Sequence, residues 1–419
     1  MVRRRGYLVT ATAVLVVAHL AFLAVAPTPL VSGDATRFHE LAVNLAAGHG
    51  YVREGQPQIW FMPGYPFFLA AIYRVVGDDP WGVRVVQALL VAVSAVFVFH
   101  ACRRLFGVGP ATIAFALVGT LPAWFIYPST LNAETLVLAL GSVLLWVLAR
   151  DVPHPSSVRL VWAAGAGLIT GALVLVKPEF AVWAIAPAVI AYGRRRLLRE
   201  IVAVAAVATL ACVLVVAPWT VRNGATFGRF IPFSIAGGVA FWGSAHRPEL
   251  MDYAEPPFQA ALVRCGAAAD DASNARLGPD PKAVESCLWR EGVQMVLAHP
   301  AYWIETSFRR AARTLLGSHT TYLVGYSMAF EHARGAALWV KIAMLVAHVG
   351  FVLVGLAGLA WLLRVREGWF LVYLFASKLL VHAVIFGTPR YGLHLTPVFA
   401  VAGGAFVYTY VLGRRRSAA

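Results

Sequence analysis

The chain has 419 residues, of which 60% are hydrophobic and only 13% charged. Soluble domains carry about 25% charged residues, so a water-soluble enzyme, a disordered segment and a disulfide-framework toxin are all excluded. The net charge of +15 would suggest nucleic acid in a soluble protein, but here it falls between apolar runs and marks membrane topology, with no nucleic-acid partner.

Apolar runs near 8–26, 84–101, 111–127, 133–149, 160–176, 180–192, 201–218, 337–363, 369–387 and 394–412 predict an all-α polytopic membrane protein of about ten spans. The first run follows Arg3, Arg4 and Arg5 as a secretory signal would, but no small-residue cleavage site follows, and it reads as a retained helix. Arginines recur in alternate connections: at Arg103 and Arg104, Arg150 and Arg159, Arg194 to Arg196 with Arg199, Arg364 and Arg366, and Arg414 to Arg416. The short connections between them carry only Lys177 and Arg390. The positive-inside rule therefore expects both termini in the cytoplasm and a multi-pass protein of the cytoplasmic membrane. Two connections, 27–83 and 219–336, are too long for turns. Both fall on the outer face, where all but Asp151, Glu200 and Glu367 of the 20 acidic residues lie. The chain thus divides into a seven-span module 1–218, an outer loop unit 219–336 and a three-span module 337–419.

In the first outer loop, Phe38, Leu41, Ala42 and Leu45 share one helical face, and Gly48 and Gly50 end that helix. It would lie on the membrane surface with Asp34 at its start. Trp60 to Ala70 follow as a Pro-Gly turn entering a second apolar helix, so that the loop forms a lid at the interface. Asp34 is either a helix N-cap or a carboxylate placed to take a proton from an incoming hydroxyl or amine. Asparagine caps nearly as well but is no base, which separates the two.

Several short motifs lie in order along the chain. An Asp follows the first span, then Leu41-Ala42, Leu45, Gly48 and Gly50-Tyr51, then Met62-Pro63-Gly64-Tyr65-Pro66. Further on come Tyr127-Pro128 with Ala133-Glu134-Thr135-Leu136, and Gly171 to Lys177-Pro178-Glu179. Ala217 to Asn223 with Gly237-Gly238, and Pro389-Arg390-Tyr391 with Pro397, complete the series. Together these resemble the bacterial branch of glycosyltransferase family 39, in the GT-C superfamily with protein O-mannosyltransferases and lipid A aminoarabinose transferases. Two departures stand out. Lys177 occupies a position where relatives carry Arg, keeping the charge without the bidentate fork, and Ala35 replaces the second acidic residue of the protein mannosyltransferases, which puts a protein acceptor in doubt.

The resemblance implies a GT-C bundle and inverting transfer from a polyprenyl-phosphate-linked sugar on the outer face, to a lipid, glycan or protein acceptor. Asp34 would be the general base. Cations would stabilise the leaving phosphate, and Lys177, Arg222 and Arg390 each end a predicted span on that face; interfacial snorkelling is their alternative. Glu134 opens a span and either positions the acceptor or serves its helix dipole. Glu179 either joins the site or pairs with Lys177, Arg37 is one turn from Asp34, and Tyr65 and Tyr391 lie within the family-like motifs; all are substrate-binding candidates.

The outer unit shows helical patterns near 258–268, 281–298 and 301–316, the last a basic amphipathic pattern (Arg309, Arg310, Arg313) suited to anionic lipid headgroups. An oxidising outer compartment favours a Cys265–Cys287 disulfide over two separate thiols. No cofactor is predicted, no metal-ligand spacing supports a divalent ion, and no phosphate loop, dinucleotide fingerprint or zinc-hydrolase motif is present. The rival readings are a non-catalytic subunit binding a polyprenyl carrier, and a transporter, which would place its charges and broken helices at the membrane midplane.

Overall fold

A computed structural model of the protein describes residues 2–25, 34–150, 156–246, 256–267, 280–319 and 335–413. Asp151 and Arg414 to Arg416 lie outside the described residues. In chain order, α1 (Val2–Val25) is followed by α2 (Asp34–Ala46), a hairpin of β1 (Val52–Arg53) and β2 (Gln56–Pro57), and α3 (Gly64–Val76). Next come α4 (Pro80–Phe106), α5 (Val108–Thr120), the short α6 (Ala123–Ile126), α7 (Glu134–Leu148), α8 (Ser156–Val176), α9 (Ala186–Gly193) and α10 (Leu198–Phe227). The 219–336 connection, called the outer unit after the face expected for it, contains α11 (Ala236–His246), α12 (Pro256–Arg264), α13 (Pro281–Ala298) and α14 (Pro300–Leu316). The chain closes with α15 (Gly335–Leu362), α16 (Trp369–Val384), the single turn α17 (Pro389–Gly392) and α18 (Thr396–Phe406).

Among the described residues, seven helices are long and apolar enough to cross a membrane, and α5 with the 123–129 segment, bent by 53°, is long enough to form either an eighth, broken span or a re-entrant loop. This is a multi-pass membrane protein. The other two expected spans are shorter. α7 has 15 residues, about 22 Å at 1.5 Å per residue. The 178–193 run is half 3₁₀-helix (Pro178–Ile185) before α9, and the larger rise of that form stretches the segment to about 28 Å. Both run from the site-bearing face to the arginine-rich one. There Arg104 and Arg150 cover the Trp146 ring at 4.9 and 4.2 Å, and Arg159 pairs with Glu200 at 2.8 Å.

Close helix contacts rest on glycine. A Cβ on Gly167 would sit 2.1 Å from the Ala208 carbonyl oxygen, and one on Gly171 2.9 Å from that of Cys212. This small-xxx-small pair lets α8 and α10 approach backbone to backbone, the mode of association expected where lipid removes the hydrophobic drive. Gly64 does the same for α3 against Leu175 of α8. α10 continues unbroken through Pro218 to Phe227, so the expected module boundary at 218 falls inside a helix.

The first outer loop contains the two expected helices and also the hairpin, whose two-residue strands are too short to show a sequence period. Glu54 and Gly55 form its turn with φ of 52° and 73°, as a tight hairpin requires. In the outer unit, Ile231, Ile235, Val239, Trp242, Leu262, Val284 and Leu288 form a separate small core, across which Cys265 and Cys287 are disulfide-bonded. α14 departs from the headgroup expectation at Arg310, whereas Arg309 stays exposed beside Glu305. Its polar face (Thr306, Arg310, Thr314) is buried against the protein, while Ile304 and Phe308 are exposed. Arg310 does not reach lipid; it donates to Ala383 O at 2.8 Å, Ser244 O at 2.8 Å and Ser307 Oγ at 2.7 Å. Arg310 thereby joins α11, α14 and the carbonyl end of α16.

Candidate active site

Four backbone features bring distant charges to one place on the loop-bearing face. Asp34 opens α2, which is fixed over α3 by Phe38 packed edge-on against Tyr65 and by a His39 Nδ1–Tyr73 hydroxyl hydrogen bond of 2.8 Å. Glu134 opens α7. The turn before it is held by Gln87, whose Nε2 donates to Pro128 O and Thr130 O, and by Arg84 Nε donating to Ser129 O. Lys177 is extended (φ −146°, ψ 110°) because Pro178 follows, so α8 stops there. Pro389 starts α17, and Gly392 packs against Thr314 O of α14 where a Cβ would meet the oxygen at 2.1 Å, fixing Arg390 and Tyr391 between them.

Arg390 is the centre. Its Nη2 donates to Asp34 Oδ2 at 2.9 Å, and its Nε lies 3.7 Å from Glu134 Oε1. Glu134 is buried, and neither of its carboxylate oxygens has a hydrogen-bond partner among the described residues. Tyr391 carries two cations near its ring, Lys177 Nζ at 4.9 Å and the Arg390 guanidinium carbon at 5.4 Å from the centroid. Burial pushes the Asp34 carboxyl up, but the charge and hydrogen bond of Arg390, with the charges of Lys177 and Arg37, outweigh it, so Asp34 titrates below the ordinary 3.8. Asp34, Glu134, Lys177, Arg390 and Tyr391 thus form one half-buried cluster. It can present an anionic group with two cations beside a carboxylate that accepts a proton.

A second polar layer lies behind Tyr391. Glu179 pairs with Lys378, not with Lys177: Lys378 Nζ is 3.1 Å from Glu179 Oε1 and 3.6 Å from the Phe180 ring centre. His382 and His394 each have a nitrogen 4.0 Å from the same oxygen. Their ligand-type atoms and that of Glu179 lie within 4.8 Å of one another, but the Lys378 ammonium already holds the carboxylate, and the cluster is organised around that ammonium. The cluster of Cys265, Cys287 and Glu291 is closed to metal by its disulfide.

Three expected site residues are elsewhere. Arg222 lies outside that cluster; it donates to Gln58 O at 2.7 Å and Tyr51 O at 3.2 Å and rests on the Trp219 ring, tying the first loop to the end of α10. Tyr65 is fully buried, its hydroxyl donating to Gln87 Oε1 at 2.9 Å. Arg37 sits 6.0 Å from the Phe61 ring centre and reaches Asp34 only through its field. His382 and His394 were absent from the expected set. The available signal was Lys378 and His382 at i and i+4 on one face of an otherwise apolar helix.

The family model described as dolichyl-phosphate-mannose-protein mannosyltransferase matches residues 55–221. No curated protein matches the chain in sequence. Among solved structures, the archaeal oligosaccharyltransferase AglB from Archaeoglobus fulgidus, in complex with an inhibitory peptide and a dolichol-phosphate, aligns with a TM-score of 0.54 at 12% identity, covering 99% of this chain and 52% of that one. This chain therefore spans about half the length of that enzyme. ArnT from Cupriavidus metallidurans in the apo state aligns with a TM-score of 0.47 at 18% identity, covering 97% of this chain and 78% of that one. This is a multi-pass membrane protein that shares its fold with the archaeal oligosaccharyltransferase and is similar over residues 55–221 to the dolichyl-phosphate-mannose-protein mannosyltransferases.

Proposed function

We propose that the protein transfers a sugar from a polyprenyl-phosphate carrier to an acceptor on the outer face of the cytoplasmic membrane, with both termini in the cytoplasm. The observation that carries this reading is the Asp34–Arg390 contact of 2.9 Å, beside Lys177 and a buried Glu134 that lies 3.7 Å from the same guanidinium with neither oxygen hydrogen-bonded among the described residues. A base, two phosphate-binding cations and a further carboxylate meet at a helix-end surface. The match to a family model named for dolichyl-phosphate-mannose, and the dolichol-phosphate bound by the archaeal enzyme of the same fold, support a lipid-phosphate donor.

In this mechanism the donor phosphate accepts hydrogen bonds from Arg390 and Lys177, drawing the guanidinium off Asp34. Relieved of its partner, the half-buried Asp34 gains proton affinity as the acceptor arrives. The acceptor oxygen or nitrogen attacks the anomeric carbon from the side opposite the phosphate and gives its proton to Asp34. The carbon–oxygen bond to the phosphate breaks, and its electron pair leaves on the polyprenyl phosphate. Configuration inverts. Positive charge at the leaving oxygen and a positioned base each contribute several kcal/mol in comparable sites. Donor binding precedes acceptor activation because one arginine serves both carboxylate and phosphate. Arg222, engaged by the loop backbone, has no part in this.

The experiment is sugar release by purified protein from a panel of polyprenyl-monophosphate sugars, with a mixed-acceptor envelope extract and with nucleotide sugars as controls. Turnover of a lipid-phosphate donor alone is expected. Turnover of nucleotide sugars would overturn the donor class, and no turnover across the panel would favour a carrier-binding subunit.

A further inference from the structure

Tyr391 gathers the two cations proposed to hold the donor phosphate, and its ring is itself held from behind. The imidazole of His382 stacks on it with centroids 4.7 Å apart and planes 15° from parallel, and Phe386 meets it edge-on at 5.8 Å. His382 is not free to rotate. Its Nδ1 hydrogen-bonds Phe386 O at 2.7 Å, which fixes the tautomer with the proton on Nδ1. Its Nε2, buried and without a hydrogen-bond partner among the described residues, is directed at the carboxylate of Glu179, 4.0 Å away. That carboxylate is in turn held by Lys378.

We propose that His382 is a positioning residue for the donor phosphate: stacked on Tyr391 and keyed to Phe386 O, it sets the ring plane against which Lys177 and Arg390 are held. The inference rests on the donor-phosphate reading above. The physical basis is directional. A cation is attracted to the face of an aromatic ring and much less to its edge, so tilting Tyr391 weakens the hold on both cations together. Mobile lysine and arginine heads must then be ordered when the phosphate arrives, and that ordering subtracts from affinity. An imidazole suits this place because it combines a flat face for stacking with a donor for the Phe386 carbonyl. Phenylalanine keeps the first property and leucine keeps neither.

The test measures binding of polyprenyl monophosphate to the detergent-solubilised full chain, together with KM and kcat for the lipid-phosphate sugar. His382→Leu and His382→Gln are expected to weaken polyprenyl-monophosphate binding about tenfold and to raise the donor KM by a similar factor, with kcat changing less, the loss expected when cation–π contacts are released. His382→Phe is expected to recover affinity to within about threefold of wild type. A purely structural histidine would instead lower thermal stability without separating Phe from Leu and Gln. Should the Leu protein fail to fold, the Gln and Phe pair still decides the matter, since Gln keeps a donor for the Phe386 carbonyl without the stack and Phe keeps the stack without the donor. Equal affinity in the folded Gln, Phe and wild-type proteins would overturn the positioning role and leave the proposed function standing. Wild-type protein that binds no polyprenyl monophosphate would overturn both.

Discussion

Removing Lys378 is the perturbation whose effect on stability can be worked most directly from the structure. Its ammonium is wholly buried, 3.1 Å from a Glu179 oxygen on a side chain only 15% exposed, and 3.6 Å from the Phe180 ring centre. At an effective dielectric of about 20, two unit charges at that separation attract by about 5 kcal/mol, most of it offset by the desolvation of both groups. Lys378→Met leaves the Glu179 carboxylate facing His382 and His394, whose nitrogens lie 4.0 Å off, without its ion partner. Breaking one side of a buried pair costs about 3–5 kcal/mol. Adding Glu179→Gln removes the uncompensated charge and should restore most of that loss, so the two substitutions couple strongly. The deficit of the single variant should also shrink on acidification, because a protonated Glu179 needs no counter-ion. Reversible unfolding in mixed micelles measures both effects. A single variant within about 0.5 kcal/mol of wild type, or a double variant that is simply additive, would refute the reasoning.

The pH dependence has a definite sign. Asp34 is held below its ordinary 3.8 chiefly because Arg390 outweighs burial, so the proton-accepting form persists as pH falls and is lost only below that value. The acid limb of kcat/KM should therefore lie below pH 3.8, and Arg390→Gln should move it upward, burial then being opposed only by the charges of Lys177 and Arg37. The limb of kcat should lie higher than that of kcat/KM, since bound phosphate takes the guanidinium; coincident limbs would contradict the sharing of Arg390. Arg222→Met should speed amide exchange and proteolysis at residues 51–58, whose carbonyls it holds, while weakening polyprenyl-monophosphate binding far less than Arg390→Met. Replacing Cys265 and Cys287 by serine opens a bridge across a sequence separation of 22. It should destabilise the outer unit by about 3 kcal/mol, read as earlier local unfolding by hydrogen exchange.

Much of the fold was legible because the bilayer imposes it. Ten apolar runs of spanning or near-spanning length, with arginines in alternate connections, admit few other arrangements, and the short 178–193 run comes close to spanning length once its 3₁₀ stretch is counted. Asp34, Glu134, Lys177 and Arg390 were legible for a related reason: a charge at the end of an apolar helix is expensive unless it has work to do. Their mutual pairing was not, because Asp34 and Arg390 are 356 residues apart and no local period records a contact of that kind. Glu179 shows the same limit. Proximity in sequence suggested Lys177, whereas Lys177 is turned away by the extended backbone before Pro178 and Lys378 arrives from α16. The contacts of Arg222 and Arg310 were hidden for the opposite reason. An arginine at a membrane boundary looks the same in sequence whether it meets a phosphate or a row of backbone carbonyls, and in both cases the folded chain supplies the carbonyls.

The central claim is that Asp34 takes the acceptor's proton while Arg390 and Lys177 hold the leaving phosphate. Its most direct test is single-turnover transfer from a polyprenyl-monophosphate sugar by wild type and Asp34→Asn, with donor binding measured in parallel. Asparagine keeps the size and hydrogen-bonding capacity of the side chain but cannot accept the proton. Transfer by Asp34→Asn is expected to slow by about 10²–10⁴-fold with polyprenyl-phosphate affinity retained; equal transfer rates in two folded, donor-binding proteins would remove Asp34 as the base.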